Sequence, residues 1–306
     1  MSNFKSKTEA AKTSTTTPPL KYDMNNKERG MALVINIRSF DNNKRDERVW
    51  SDEDVKNLTK TLNDLEFKVV LCENSTKEQI ETVLKEQKNH KDSDCFLCVV
   101  MSHGNQDNIL TSDNQRISFE EIMAPIKTCS SLVNKPKMFF FQVCRGKNEM
   151  ESKKQPSLTS HSRPSSACST KSSRGNKGHD YDITTSHSVL PPIQTQKEKT
   201  KSEYETDLLV FNSTLPNHLS WSLSQKEGTI FIKSFCDVFN NAYKNLETPD
   251  HLSLSQMITL IKASVQQNQI QVAISNSTMH KELKFWPKDV NLNLCLFHII
   301  FSPRSK

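Results

Sequence analysis

The apolar residues of this chain fall into short continuous runs, separated by segments in which apolar positions recur every three or four residues. A short continuous apolar run is typical of a strand buried on both faces of a parallel sheet. We predict strands at six such runs: Met31–Ile37, Phe67–Leu71, Cys95–Met101, Met138–Val143, Leu208–Phe211 and Leu292–Phe301.

The segments between these runs have the spacing of amphipathic helices. Ser51 can cap a helix whose apolar positions extend from Val55 to Leu65, and Ser75–Glu78 has the capping-box pattern of a second helix start. Further helices are predicted over residues 118–126, 229–246 and 252–267. Strands that alternate with helices pair in parallel through right-handed crossovers, so the pattern predicts an α/β fold.

Two polar stretches interrupt this pattern. Residues 1–29 are mainly Thr, Lys, Ser and Pro, and residues 148–204 are rich in Ser and Thr without a sustained period. Such segments bury too little apolar surface to offset the entropy cost of ordering, so both are predicted to be disordered. The folded part then consists of residues 30–147 and 205–302, followed by a tail over residues 303–306, and its length suits a single domain.

Composition excludes several classes of protein and of partner. The net charge of +6 arises from 41 basic and 35 acidic residues that are well mixed, without the basic, aromatic-containing block that binds nucleic acid. No apolar run is long enough to predict a membrane span. The first residues contain no apolar signal segment, so we expect a cytoplasmic protein whose eight cysteines are reduced thiols.

Two reactive side chains follow predicted strands. His103 and Gly104 come after Cys95–Met101, and Cys144 comes after Met138–Val143. In open parallel sheets the chemistry lies at the carboxyl ends of the strands, so neighbouring strands would bring imidazole and thiol into one crevice. Nucleophilic thiol catalysis needs such a pair. Position alone leaves a second interpretation open, in which Cys144 is a buried small residue and His103 is structural.

The residues around this pair favour catalysis. Gln142–Gly146 reads Gln-Val-Cys-Arg-Gly, one residue different from a signature of the caspases, whose histidine lies upstream as His103 does in Ser-His-Gly. Further matching segments are Lys135–Gly146, Glu205–Leu208, Ser213–Pro216 and Ser220–Trp221. The chain therefore resembles the caspase family of aspartate-directed cysteine proteases.

This resemblance implies a caspase-like α/β fold, in which a mostly parallel six-stranded sheet is flanked by helices. A large subunit, residues 30–147, and a small subunit, residues 205–302, would form one domain. The resemblance also implies a zymogen of the short-prodomain type, with residues 1–29 as the prodomain and residues 148–204 as the linker between the subunits.

The resemblance also assigns roles to the residues of the site. Cys144 matches the nucleophile and His103 the residue that protonates the leaving amine, while the backbone N–H groups of Gly104 and Cys144 would stabilise the oxyanion. Arg48 and Gln142 match residues that bind the Asp side chain of the substrate, because a guanidinium can hold a carboxylate through two hydrogen bonds. Neither a metal nor a cofactor is implied.

Three positions bear on how strongly a substrate would bind. Trp221 matches the wall of the second substrate pocket, although an ordinary core tryptophan is the alternative. Ser222 stands where the family has Arg, and Trp50 stands where it has Gly. We therefore predict an endopeptidase that cleaves proteins after Asp, acting in apoptosis or related signalling, with weakened substrate binding. The alternative is a catalytically weakened or decoy homologue that regulates other caspases by binding them.

The remaining expectations concern activation and assembly. Asp180 and Asp182 are the aspartates of residues 148–204, so activation cleavage is expected after one of them, and prodomain removal after Asp23. The resemblance implies that the closing strand Leu292–Phe301 pairs with its copy in a homodimer, since an unpaired apolar edge strand would aggregate.

Overall fold

A six-stranded sheet lies at the centre of the computed structural model, which describes residues 20–41, 47–87, 89–148, 205–244 and 252–288. The strands of these ranges are β1 (Glu28–Asn36), β2 (Lys68–Glu73), β3 (Ser93–Ser102), β4 (Asn108–Leu110), β5 (Arg116–Ser118), β6 (Lys137–Val143), β7 (Gly146–Asn148), β8 (Leu208–Asn212), β9 (Asn217–His218), β10 (Ser222–Ser224), β11 (Gly228–Thr229) and β12 (Ile274–Ser277). The helices are α1 (Ser51–Asp64), α2 (Lys77–Glu86), α3 (Phe119–Lys127), α4 (Ile230–Lys244) and α5 (Leu254–Gln267).

The order of strands in the sheet is β12-β8-β6-β3-β1-β2, and every neighbouring pair is parallel except β12 with β8. This confirms the predicted α/β fold with a mostly parallel six-stranded sheet. Because β8 pairs directly with β6, the two predicted subunits contribute to one sheet. The other strands form the short pairs β4–β5, β7–β9 and β10–β11.

Helices cover both faces of the sheet, and alternate strand residues point to opposite faces. Ala32 and Val34 of β1 pack in the cluster that contains residues of α1, α4 and α5. Leu33 and Ile35 pack in the cluster that contains residues of α2 and α3. The central strand β3 is buried at every position, which is why it forms a continuous apolar run in the sequence.

Two helices begin differently from the predicted capping patterns. The cap of α2 is Thr76, whose Oγ1 accepts a hydrogen bond from the backbone N–H of Gln79, so the prediction at Ser75–Glu78 is wrong by one residue. Ser51 is the first residue of α1 rather than its cap, and its hydroxyl accepts a hydrogen bond from the Asn36 amide at 3.3 Å. Among the helices of the described ranges, none has the length and apolar character to cross a membrane.

The strand β12 was not predicted. Its sequence, Ile-Ser-Asn-Ser, contains no apolar run, because an edge strand with two exposed residues needs none. The segment Leu292–Phe301, which was predicted as the closing strand, lies outside the described residues, and so does the homodimer contact predicted for it.

A buried ion cluster closes the end of the sheet at which β1 and β3 begin. Arg29 Nη1 lies 3.2 Å from Asp94 Oδ2, and both side chains are fully buried. Lys288 Nζ pairs with the same Asp94 oxygen, and Glu66 lies 3.4 Å from Arg29 Nη2. The cluster thereby joins the first and third strands to the end of α1 and to the segment after β12.

The segment that precedes β1 is held against the start of β8. The Tyr22 hydroxyl donates a hydrogen bond of 2.6 Å to Oδ1 of the buried Asp207, and His280 Nδ1 lies 3.2 Å from the same oxygen. The backbone N–H of Tyr22 donates to the carbonyl of Glu282 at 3.0 Å. Tyr22 lies within residues 1–29, so the predicted disorder of this stretch is wrong for residues 20–29. These residues are ordered because Tyr22 is buried and its hydroxyl and backbone N–H have partners at Asp207 and Glu282.

Candidate active site

His103 and Cys144 leave neighbouring strands at the same level of the sheet. Ser102 of β3 is the register partner of Val143 of β6, and His103 and Cys144 are the next residues of the two strands. Parallel neighbours lie about 4.8 Å apart, so the two backbones leave the sheet side by side. The structure thus brings the two predicted catalytic residues together at the carboxyl end of the sheet.

The loop after His103 is built around a stacked ring and a close backbone approach. The imidazole of His103 stacks on the buried ring of Phe40, with ring centroids 5.1 Å apart. A Cβ atom on Gly104 would lie 2.4 Å from the Asn108 carbonyl oxygen and 2.5 Å from Val143 Cγ1. Glycine is therefore required at 104, because the Asn108 backbone and Val143, the residue before Cys144, leave no space for a side chain.

The thiol of Cys144 contacts the segment that precedes Trp221. Its Sγ accepts a hydrogen bond of 3.4 Å from the Ser220 N–H and lies 3.5 Å from the Ser220 carbonyl oxygen. The nearly buried Gln142 donates from Nε2 to the Ser220 hydroxyl at 2.9 Å, while its Oε1 has no hydrogen-bond partner among the described residues. A 180° turn of the amide would let Oε1 accept from the Ser220 hydroxyl. It would place the two N–H donors, which can bind a carboxylate, at the position that has no partner among the described residues.

Arg48 places a cation close enough to Cys144 to interact with it electrostatically. Its side chain is buried, and Nη1 donates to the Ile37 carbonyl at 2.8 Å and to Asn36 Oδ1 at 3.3 Å. Within the described ranges, the guanidinium donates hydrogen bonds only from Nη1, so Nε and Nη2 can serve a ligand. Burial lowers the pKa of Arg48 to about 10, and its electrostatic interactions with Asp54 and Cys144 act in the opposite direction. The guanidinium is therefore cationic at neutral pH.

Trp221 and Ser222 lie at the start of a hairpin. Trp221 is half-buried and packs against the core cluster that covers one face of the sheet, while Ser222 opens β10 opposite Thr229 of β11. Ser222 therefore supplies a hydroxyl where the family resemblance leads one to expect a guanidinium. The segment remains next to Cys144 through Ser220.

Sequence reasoning missed a residue that holds this segment in place. Gln271 is fully buried, and its Oε1 accepts the Trp221 N–H at 2.7 Å while its Nε2 donates to the Ser213 carbonyl at 2.7 Å. The Ser213 hydroxyl in turn accepts the N–H of Val143, the residue before Cys144. No local pattern marks Gln271, because it is a single polar residue between Ile270 and Val272 in the short segment between α5 and β12.

The remaining predicted sites lie elsewhere. Asp23 is exposed and accepts hydrogen bonds from the backbone and side-chain nitrogens of Asn25, before the start of β1 and so near the opposite end of the sheet. Asp180 and Asp182 lie outside the described residues. In the ranges that the structure describes, no group of three His, Cys, Asp or Glu side chains could hold a metal ion.

A thiol and an imidazole at the carboxyl end of the sheet can attack a carbonyl, and a buried guanidinium nearby can bind an anionic side chain beside it. Known proteins are similar to this chain in sequence. Residues 29–284 match the family model of the caspase domain. Caspase-7 of Gallus gallus is 28% identical over 256 residues, covering 82% of this chain and 72% of that protein. Caspase-8 of Mus musculus is 33% identical over 139 residues, covering 42% of this chain but only 29% of that protein.

A solved structure has the same fold. The crystal structure of caspase-1 from Spodoptera frugiperda has a TM-score of 0.66 at 23% sequence identity, and the match covers 90% of this chain and 99% of the other. At this identity the likeness shows a common fold. Because the family model also spans most of the chain, including Arg48, His103 and Cys144, the chain belongs to the caspase family of cysteine proteases.

Proposed function

We propose that this chain is a cysteine endopeptidase that cleaves proteins after Asp. The observation that carries the proposal is the buried Arg48 guanidinium, which interacts electrostatically with Cys144. Its Nε and Nη2 donate no hydrogen bond within the described ranges. The buried Asp54 interacts with this cation, but no acidic side chain of the described ranges forms an ion pair of 4.0 Å or less with it. An Asp side chain next to the attacked carbonyl would supply that direct anionic partner. Gln142, beside the same thiol, would complete the recognition of the carboxylate.

In the proposed reaction the Cys144 thiolate attacks the carbonyl carbon that follows the Asp residue, and the oxygen takes the electron pair of the double bond. The N–H groups of Gly104 and Cys144 donate to this oxyanion, and each such donor typically lowers the barrier by about 2.7–4 kcal/mol. The carbonyl re-forms as the C–N bond breaks, and protonated His103 gives its proton to the leaving amine. Water, deprotonated by His103, then hydrolyses the thioester and releases the new carboxyl terminus.

The test uses the purified full-length chain and two fluorogenic peptides that differ only in Asp or Asn at the cleaved bond. These side chains have the same shape, so the difference isolates the carboxylate charge. We expect hydrolysis after Asp to exceed hydrolysis after Asn by at least about tenfold in kcat/KM, as for a charge-assisted hydrogen bond. Equal rates for the two peptides, or hydrolysis of neither, would contradict the proposal.

Substrate binding is expected to improve in the variant Ser222→Arg. A guanidinium at this position would add a second cation beside Arg48, and we expect KM for the Asp peptide to fall about tenfold with a smaller change in kcat. Ser222→Lys is the matched control, because an ammonium lacks the planar fork and should give a smaller gain. An unchanged KM in Ser222→Arg would show that residue 222 does not limit substrate binding.

The second candidate function is a catalytically weakened or decoy homologue that regulates other caspases by binding them. The hydroxyl of Ser222, where the family has a cation, favours it. This candidate predicts that the chain lowers the rate of an active caspase on mixing, while its own hydrolysis of the Asp peptide stays undetectable. Readily detected hydrolysis of the Asp peptide that depends on Cys144 would exclude the decoy and favour the active endopeptidase.

We further propose that the chain is a zymogen whose linker, residues 148–204, is cut after Asp180 or Asp182. A time course followed by mass spectrometry should show this cut in the wild-type chain and its absence in Cys144→Ala. Cleavage after Asp23 is expected to be slower, because the neighbouring Tyr22 is buried and bonded to Asp207. An intact wild-type linker, or a cut at another residue, would contradict the assignment.

The setting of the enzyme is part of the same proposal. We place it in the cytoplasm, where the cysteines would stay reduced, with proteins containing Asp at the cleaved bond as substrates and a role in apoptosis or related signalling. Assembly would be a homodimer through the strand Leu292–Phe301, and other caspases would be the heterologous partners. The family membership supports these assignments.

A further inference from the structure

Asp54 is a buried carboxylate that no step of the proposed reaction uses. It lies in the first turn of α1, and its side chain is almost fully buried. Its Oδ1 accepts a hydrogen bond of 2.8 Å from the backbone N–H of Thr229. The loop that ends in Arg48 leads directly into α1, where the Ser51 N–H donates to the Arg48 carbonyl at 2.9 Å. The hydrogen bond between Asp54 and Thr229 therefore connects the helix that follows Arg48 to a residue 175 positions further along the chain.

The contact between Asp54 and the hairpin β10–β11 is tight. Gly228, the first residue of β11, has a φ of +73°, which favours glycine. A Cβ atom at this position would lie 2.3 Å from Asp54 Oδ1. The hairpin therefore sits directly on the carboxylate, with no space for a side chain between them.

This hairpin carries the residues that are proposed to contact substrate. Ser222 is the register partner of Thr229, and the Ile230 N–H donates to the Trp221 carbonyl at 3.2 Å. Both strands of a two-stranded ribbon move together, so a shift of Thr229 would also shift Trp221 and Ser222.

The Asp54 carboxylate also acts on Arg48 through its charge. Of the charges that act on the Arg48 guanidinium, Asp54 makes the largest contribution. Burial raises the pKa of Asp54 to about 6, while the Thr229 N–H and the Arg48 charge act in the opposite direction. Asp54 therefore interacts electrostatically with Arg48 on one side of the site and accepts a hydrogen bond from Thr229 on the other side.

We propose that Asp54 is a positioning residue, which ties the hairpin of Trp221 and Ser222 to the helix that follows Arg48 and so sets the width of the substrate pocket. This inference rests on the proposed function, in which both sides of the pocket bind the peptide. It assigns Asp54 no contact with the substrate itself.

The test compares steady-state kinetics of wild type, Asp54→Ala and Asp54→Asn on the Asp peptide. We expect Asp54→Ala to raise KM about tenfold, the effect of one lost charge-assisted hydrogen bond, with kcat changed less than about threefold. Asp54→Asn keeps an oxygen acceptor for the Thr229 N–H and should restore KM to within about threefold of wild type. Asp64→Ala, an exposed acidic residue of the same helix, is the control and should leave both constants unchanged.

A second pair of variants keeps the test valid if Asp54→Ala folds poorly. Gly228→Ala places a methyl group against Asp54 Oδ1 and should raise KM in the same way. Amide hydrogen exchange at Thr229 should accelerate in Asp54→Ala and in Gly228→Ala but stay at the wild-type rate in Asp54→Asn. This exchange measurement tests the hydrogen bond between Asp54 and Thr229 without any substrate.

The possible failures are distinguishable. If wild type hydrolyses the peptide and Asp54→Ala has an unchanged KM, the positioning role is wrong while the proposed function stands. A KM in Asp54→Asn as high as in Asp54→Ala, or a fall in kcat alone, would also overturn it. If wild type hydrolyses no peptide, the proposed function fails and this inference fails with it.

Discussion

The variant Cys144→Ala is expected to lower kcat for the Asp peptide by at least about a thousandfold, as loss of the nucleophile does in other covalent proteases. Alanine cannot form the thioester, so only substrate binding and the oxyanion donors of the backbone remain. The backbone at 144 is unaffected by the change, and the fold should therefore be retained. The measurement is turnover at high enzyme concentration, with circular dichroism to verify folding.

Cys72→Ala is the matched control for this experiment. Cys72 is a half-buried thiol of the edge strand β2, and burial raises its pKa, so it is a poor nucleophile at neutral pH. We expect its replacement to leave kcat within about twofold of wild type, as for a site away from the chemistry. Hydrolysis that survives in Cys144→Ala would show that another group is the nucleophile.

Loss of stability by about 3–5 kcal/mol is expected in Asp94→Ala, because the substitution breaks a buried ion cluster. Asp94 is the carboxylate shared by Arg29 and Lys288, and the side chain of Arg29 is fully buried. Without Asp94, Arg29 keeps only the partly exposed Glu66 as an acidic partner in the described part of the chain. A buried cation with incomplete pairing cannot recover its hydration, so the folded state carries the whole cost.

The measurement is urea unfolding of Asp94→Ala in a Cys144→Ala background, so that self-cleavage does not change the chain during the experiment. Asp64→Ala is the control, since its partner Lys60 is 70% exposed and such surface pairs contribute at most about 1 kcal/mol. A loss below about 1 kcal/mol in Asp94→Ala would show that the cluster is solvated and does not stabilise the fold.

Most of the sheet could be predicted because burial on both faces requires an uninterrupted apolar run, as in β3 and β6. The edge strand β12 could not, because it pairs with one neighbour and keeps polar residues. Capping boxes were predictable only to within a residue, since Ser75 and Thr76 both offer a hydroxyl. Which one caps α2 depends on where Gln79 lies in the helix.

The nucleophile and its histidine could be predicted because each lies in a short local segment directly after a strand. Three supporting residues could not, namely Phe40, Asp54 and Gln271. Asp54 bonds to a residue 175 positions away and Gln271 to one 50 positions away, so no local pattern contains both partners. A polar residue has the same sequence signal whether it is exposed or buried under such a contact.

By itself, therefore, the sequence determined the alternation of strands and helices, the carboxyl ends of the strands as the place of the chemistry, and the pair Cys144 and His103. Only the tertiary structure decided that Arg48 is a buried cation whose Nε and Nη2 have no partner in the part of the chain that the structure describes. It also decided that Asp54 and Gln271 hold the hairpin and the Trp221 segment. The physical reason is that periodicity and capping are local preferences of the backbone. Burial of a charge and the partner that satisfies it depend instead on how distant segments pack together.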